Sequence, residues 1–161
     1  MLDRSDRDQP TVQLLIGPAS DGTPILEEVP VESLGGARYR ILASPGLLDG
    51  LAAGDTFERD PDGSYRVVEH AGNLCLQVFY DGTVLHGRFD AELLPQVRSM
   101  GGWLDGRTDG VSVLTIPLTA GWDAIRHALD SWVTSAPGAS WSYANVYGDD
   151  GAPLGWWDDL P

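Results

Sequence analysis

Glycine beside Asp or a second Gly breaks this chain at short intervals, and that punctuation restricts its folds more than any other feature. Asp62-Gly63 and Asp109-Gly110 each sit between two β-like runs, and Gly35-Gly36 does the same. Such pairs supply the positive φ that a tight hairpin turn needs. The runs they separate alternate with a period of two: Val12, Leu14 and Ile16 before the breaks at Gly17-Pro18 and Asp21-Gly22, then Ile25 to Glu32, Arg38 to Leu42, Thr56 to Arg59 and Ser64 to His70. That is the period of a half-buried strand. Residues 11–71 are therefore expected to form a β-rich, barrel-like half. Ser44 to Gly54, with Pro45, Leu47, Leu48 and Leu51, is expected to add a turn of helix closing one end.

The rhythm changes after Gly72. Asn73 to Tyr80 reads as a strand with Leu74, Leu76, Val78 and Tyr80 on one face and Cys75, Gln77 and Phe79 on the other. Phe89, Leu93, Val97 and Met100 recur at helical spacing, with Asp90 as N-cap, Gly101-Gly102 as the stop and Pro95 pulling the start toward Leu94. Trp103 to Thr108 and Val111 to Leu118 flank Asp109-Gly110. An amphipathic helix carrying Trp122, Ile125, Leu129, Trp132 and Val133 on one face follows, and Trp141 to Tyr147 is a last strand. The order β-α-β-β-α-β predicts a ferredoxin-like half over 72–147. The fold class is thus α+β, with a small β-rich N-terminal half packed on a ferredoxin-like C-terminal half. A polar leader at 1–10 reads as loose. An acidic, Trp-bearing tail at 148–161 should dock on the body or on a partner, because Trp156, Trp157 and Leu160 are costly to leave in water.

At 161 residues the chain suits one compact domain or two small ones packed together. Ten basic residues, all Arg, stand against twenty-four acidic ones, a net charge of −14. Such a surface repels phosphate backbones and anionic lipid, which argues against nucleic acid and membrane and favours a basic protein or cationic ligand as partner. Nothing approaches the ~18 consecutive apolar residues of a membrane span. Cys75 is the only cysteine, so neither an intrachain disulfide nor a multi-thiolate zinc site can form, and a reducing cytoplasm is the natural setting.

Motifs for chemistry are sparse. His70, His86 and His127 lack the spacing of paired metal ligands, no phosphate-binding glycine loop occurs, and no Gly-x-Ser-x-Gly is present. No metal or cofactor is implied. Asp81, His86, Arg88 and Asp90 fall in one expected loop where an acid, a base and a cation can meet, which makes His86, Asp81 and Asp90 the catalytic candidates. Cys75, in mid-strand, reads as a small buried hydrophobe rather than a nucleophile. Parity suggests an aromatic face opposite the helices, with Phe79, Trp141, Tyr143 and Tyr147, joined by Trp103. Either the N-terminal half buries it as an internal core, or it serves with Trp156 and Trp157 as an acidic-rimmed recognition surface.

Stretches 35–73, 111–132 and 141–149, with Tyr39-Arg40, the Gly54-Asp55 turn, a Val-rich strand ending near Gly72 and the Ile116-Pro117 step, resemble a family of small bacterial proteins catalogued only as a domain of unknown function. The likeness runs from about Val29 to Asp149 and implies no reaction, cofactor or catalytic residue. The reading that charge and missing motifs favour is a non-enzymatic acidic interaction protein, an immunity-type or regulatory partner of a basic protein. Two alternatives stay open: a small-molecule-binding module with its cavity between the halves, and a minor enzyme using the Asp81, His86 and Asp90 loop. The oligomeric state is not read from the sequence.

Overall fold

A computed structural model describes residues 9–82 and 84–161. The fold is mixed α+β, with two sheets and one main helix. The first sheet is an antiparallel meander of β1 (Thr11–Pro18), β2 (Pro24–Gly35), β3 (Arg38–Ile41), β4 (Thr56–Arg59) and β5 (Tyr65–Glu69), hydrogen-bonded in that order. Gly35 and Gly36 turn β2 into β3 with φ of 103° and 60°, two successive positive values that side chains with a Cβ resist. Residues 1–8 of the expected leader lie outside the described residues. Gln9 and Pro10 are tied down, since the Pro10 carbonyl accepts the Val31 N–H.

The barrel expectation is corrected: the sheet is open, with β1 and β5 as its two edges. Two contacts reach across to β1: the Gly63 carbonyl in the β4–β5 turn accepts the Leu15 N–H at 2.8 Å, and Arg59 Nε donates to the Gln13 carbonyl at 2.8 Å. Inside the curl lie Leu14, Val29, Val31, Ile41 and Phe57, roofed by Leu48 and Leu51 from the long loop 42–55. That loop holds no turn of helix, contrary to expectation. Its amides bond to side chains instead of to a helical ladder: Ser44 to Asp105, Gly46 and Leu47 to Glu27, Ala52 to Asp55, and Ala53 to Ser44.

The second sheet contains β6 (Asn73–Phe79), β7 (Trp103–Arg107), β8 (Val111–Pro117) and β9 (Ser140–Tyr143) in the order β7-β8-β6-β9, every pair antiparallel. Between β6 and β7 the helical segment runs α1 (Val84–Arg88), a π turn (Phe89–Leu93) and α2 (Leu94–Ser99). It begins before the expected start near Asp90 or Leu94, because the chain widens around Pro95. The Leu94 N–H bonds to Phe89 O, five residues back, and the wider turn makes room for a ring that would otherwise strike the preceding turn. The main helix α3 (Trp122–Ser135) follows β8. Leu74, Leu76 and Val78 of β6 pack with Phe89, Leu93 and Val97, and with Ile125, Leu129 and Trp132 of α3, in one apolar cluster.

Register corrects the expected aromatic face. Leu76 stands opposite Tyr143 and Val78 opposite Trp141, so both aromatics share the helix-covered face and join that core. A slip of one residue in strand pairing moves every side chain to the other face, and only the partner strand fixes it. β9 also ends at Tyr143, short of the expected Tyr147, which forms an isolated bridge with Pro153 and is 52% exposed.

Candidate functional site

The face of the second sheet turned away from the helices meets the loop 42–55. Cys75 and Val113 pack there with Ala52 and Ala144, and the Gly50 N–H reaches the Ala144 carbonyl at 2.9 Å. Gln77 donates to the Gly46 carbonyl at 2.7 Å, and the Cys75 thiol lies 3.6 Å from the Pro45 carbonyl. Where this seam opens to the surface it leaves a groove of about 610 Å³, within the range of small-ligand and peptide-anchor sites. Its walls are largely apolar, with Val29, Pro45, Val111 and Val113, and at its rim Leu47 is 67% exposed.

Two carboxylates enter this groove from the inward faces of the two sheets. Glu27 shares a face of β2 with the core residues Val29 and Val31, pairs across β1 with Leu14, and accepts the Gly46 and Leu47 N–H groups at 2.8 and 3.2 Å. Asp105 sits at a bulge in β7, where the pairing jumps from Leu104 opposite Leu114 to Gly106 opposite Val113. Bulges re-aim side chains. Asp105 Oδ1 accepts the Ser44 N–H at 3.1 Å and the Trp103 indole N–H at 2.9 Å, and Oδ2 accepts the Thr115 hydroxyl at 2.6 Å. The chain of donors runs inward. With its proton given to Asp105, Thr115 accepts from Ser44 Oγ at 2.6 Å, and Ser44 Oγ accepts the Ala53 N–H at 3.0 Å.

Burial raises the Asp105 carboxyl above its ordinary range, against the opposing pull of those three hydrogen bonds. Among the described residues, no Arg or His nitrogen lies within 4.0 Å of Glu27 or Asp105. The guanidinium of Arg107, which also lines the groove, is already engaged by Asp90 at 2.6 and 3.2 Å and lies over the Phe89 ring. The loop 44–47 is thus slung between carboxylates of both sheets, and among the described residues neither carboxylate has a counter-ion there.

Of the catalytic candidates, His86 and Asp90 lie one turn apart on the helical segment after β6. His86 lies on α1, edge-on to Tyr80, rather than in a loop; Asp90 pairs with Arg107, Arg88 with Glu92, and Asp81 is exposed. Among the described residues no group of three His, Cys, Asp or Glu is placed to hold a metal ion. Cys75 is buried, and desolvation pushes its thiol up to about 12, so it is no nucleophile at neutral pH. His127 is exposed on α3. His70 stacks on Trp156 with centroids 4.7 Å apart, its Nδ1 3.3 Å from the fully buried Asp55.

The aromatic candidates divide. Trp156 is buried in the main core with its indole N–H on the Asn145 carbonyl at 2.7 Å, and Trp157 packs edge-on against both Trp156 and Trp122. Trp141 and Tyr143 lie in the same core, and the Trp141 indole N–H is held by Asp130. Phe79, half-buried, ends β6 opposite Ser140. Trp103, 39% exposed and opposite Thr115, does not line the groove but reaches it through its indole N–H on Asp105. Glu27 and Asp105 were not among the expected site residues. Their signals were a carboxylate in phase with Val29 and Val31, and a Gly106 able to relax a bulge.

The model of the family described as a domain of unknown function, DUF4265, matches residues 27–139. The chain belongs to that family. A solved structure titled as a hypothetical protein from Neisseria gonorrhoeae superposes on 84% of this chain and 94% of its own, with a TM-score of 0.64 and 13% identity. That is a likeness of fold. No curated protein matches the sequence. Both Glu27 and Asp105 fall within the family match, as do all the residues that line the groove. Among the described residues no helix is long and apolar enough to cross a membrane.

Proposed function

We propose that this DUF4265 protein is a non-enzymatic binder of a basic protein partner, an immunity-type or regulatory neutraliser that takes a basic, partly apolar segment into the groove between its sheets. The observation that carries this reading is the pair of carboxylates, Glu27 and Asp105, that project into an apolar cleft with no ion-pair partner among the described residues. Both are already fixed by protein donors, so a cationic side chain meets preorganised acceptors and little ordering is left for the binding event. The net charge of −14 steers such a partner toward the molecule before contact. A single thiol agrees with work in the cytoplasm. The strand order and the helices on one face support a split β-α-β arrangement of ferredoxin-like type for the second sheet.

A second reading, a small amphipathic cation as ligand, is favoured by the groove's volume. Titrating an oligolysine peptide interspersed with leucine into ¹⁵N-labelled protein tests the first. The groove should respond at the Trp103 indole and the Gly46 and Leu47 amides, and the response should weaken as salt rises. Perturbation confined to other surfaces, or a salt-independent response, would refute it.

A further inference from the structure

We infer that the basic segment docks as an added β-strand, its main chain pairing with an open edge of β2 at Leu26 and Glu28. This mode rests on the groove being the binding site. Strand β2 changes neighbours half-way along its length: Pro24 to Pro30 pair with β1, and only Val31 to Gly35 pair with β3. The Val31 N–H turns toward β1, onto the Pro10 carbonyl, whereas the Pro30 carbonyl turns toward β3 and accepts the Leu42 N–H. Main-chain groups of a strand alternate between its two edges. Glu27 and Val29 therefore bond to β1, and Leu26 and Glu28 direct both N–H and C=O to the edge that β3 has already left. Leu15, opposite Leu26, agrees with this phase, since its N–H turns away from β2 to Gly63.

Among the described residues no backbone group bonds to the Leu26 or Glu28 main chain, and both residues are exposed. An unpaired strand edge is a template for another chain. Glu27 to Pro30 of this stretch line the groove, so the open edge and the cleft are continuous. The other edges beside it are less suited: that of β1 is engaged by Gly63 and Arg59, and β7 is interrupted by its bulge at Asp105 and carries Arg107. Charge selects the occupant. Successive side chains of an added strand alternate between faces, so neighbouring basic residues meet Glu27 on the inward face and Glu28 on the outward one. A second copy of this chain, with its own Glu27 and Glu28 and a net charge of −14, is repelled from the same edge.

The test uses a capped hexapeptide of alternating Lys and Val and its fully N-methylated counterpart, which keeps the side chains and charge but has no main-chain donors. On the unaltered protein the N-methylated peptide should bind at least about tenfold more weakly, and the parent should slow amide hydrogen exchange at Leu26 and Glu28 by at least about tenfold. Glu28→Pro, which removes an N–H outside the β1 ladder, should weaken the parent peptide more than Glu28→Gln does, with folding of each checked by its melting curve. Equal binding of the two peptides, with groove resonances responding and no protection at Leu26 and Glu28, would overturn strand addition and leave the groove as a site that reads side chains. No groove response to the parent peptide would remove the site itself. Protection of Leu26 and Glu28 without peptide, together with a dimer in sedimentation, would give the edge to a second copy and refute the proposal.

Discussion

The tail and the groove both set apolar side chains beside acidic ones, and they differ in what remains for a partner. In the tail, Trp156 and Trp157 turn inward onto the molecule's own core, and their neighbours Asp158 and Asp159 are left on the surface. In the groove the carboxylates turn inward and the apolar groups line an open cleft. Aromatic residues spent on internal packing stabilise the fold but have no face to offer. Carboxylates held by protein N–H and O–H donors, with no cation beside them among the described residues, have charge to offer. The tail is thereby read as structural and the groove as the place of binding.

The largest expected effect lies in the tail. Trp156→Ala removes a buried ring stacked on His70 and leaves the Asn145 carbonyl without its indole donor, and should cost about 3–5 kcal/mol in a urea titration. A cost below about 1 kcal/mol would place Trp156 outside the core and restore it as a partner anchor. Leu129→Ala, at a fully buried position of α3, should cost about 2–5 kcal/mol, whereas His127→Ala on the exposed face stays within about 0.5 kcal/mol. Equal costs for these two would mean that the helix face is wrongly assigned.

The groove side has its own signature in alkali. Burial raises the Cys75 thiol from 9.0 to about 12, so folding favours the protonated thiol. Its contribution is complete below pH 9 and is lost as pH climbs from 9 toward 12, by at most about 1.4 kcal/mol per pH unit. Tyr65, raised to about 12 by burial, adds a decline that begins near pH 10. Cys75→Ala should flatten the decline between pH 9 and 10, as read from melting midpoints, and a thiol reagent at pH 8 should label the folded protein no faster than it unfolds. Prompt labelling would mean that the seam beneath the groove is open. The smallest effect belongs to the tail's charge: Asp158→Asn with Asp159→Asn should change stability by no more than about 0.5 kcal/mol and slow association of a basic peptide only at low salt.

The contrast also shows what the chain spells out locally. The turns at Gly35-Gly36, Asp62-Gly63 and Asp109-Gly110 were legible because positive φ is a demand few residues meet, and the α3 stripe because its period needs no partner. The placement of Trp141 and Tyr143 was not legible, since the face of an edge strand is decided by its register on β6. α1 was missed because Pro95 reads as a start signal, whereas the chain tolerates it inside a widened turn. Asp105 escaped notice for the same kind of reason as the aromatics: its direction depends on a bulge that exists only once β7 pairs with β8. Glu27 was the more readable of the two, an acid in phase with Val29 and Val31, and such breaks in patterning are where function is expected.

The most direct test is the affinity of one lysine-rich peptide for three proteins, unaltered, Glu27→Gln and Trp156→Ala, measured by calorimetry at a temperature below all three melting midpoints. The prediction is that Glu27→Gln weakens binding at least about tenfold with a smaller fall in melting temperature than Trp156→Ala shows, while Trp156→Ala binds the peptide as the unaltered protein does. Loss of binding in Trp156→Ala with Glu27→Gln unaffected would contradict it, and would move the site from the groove to the tail.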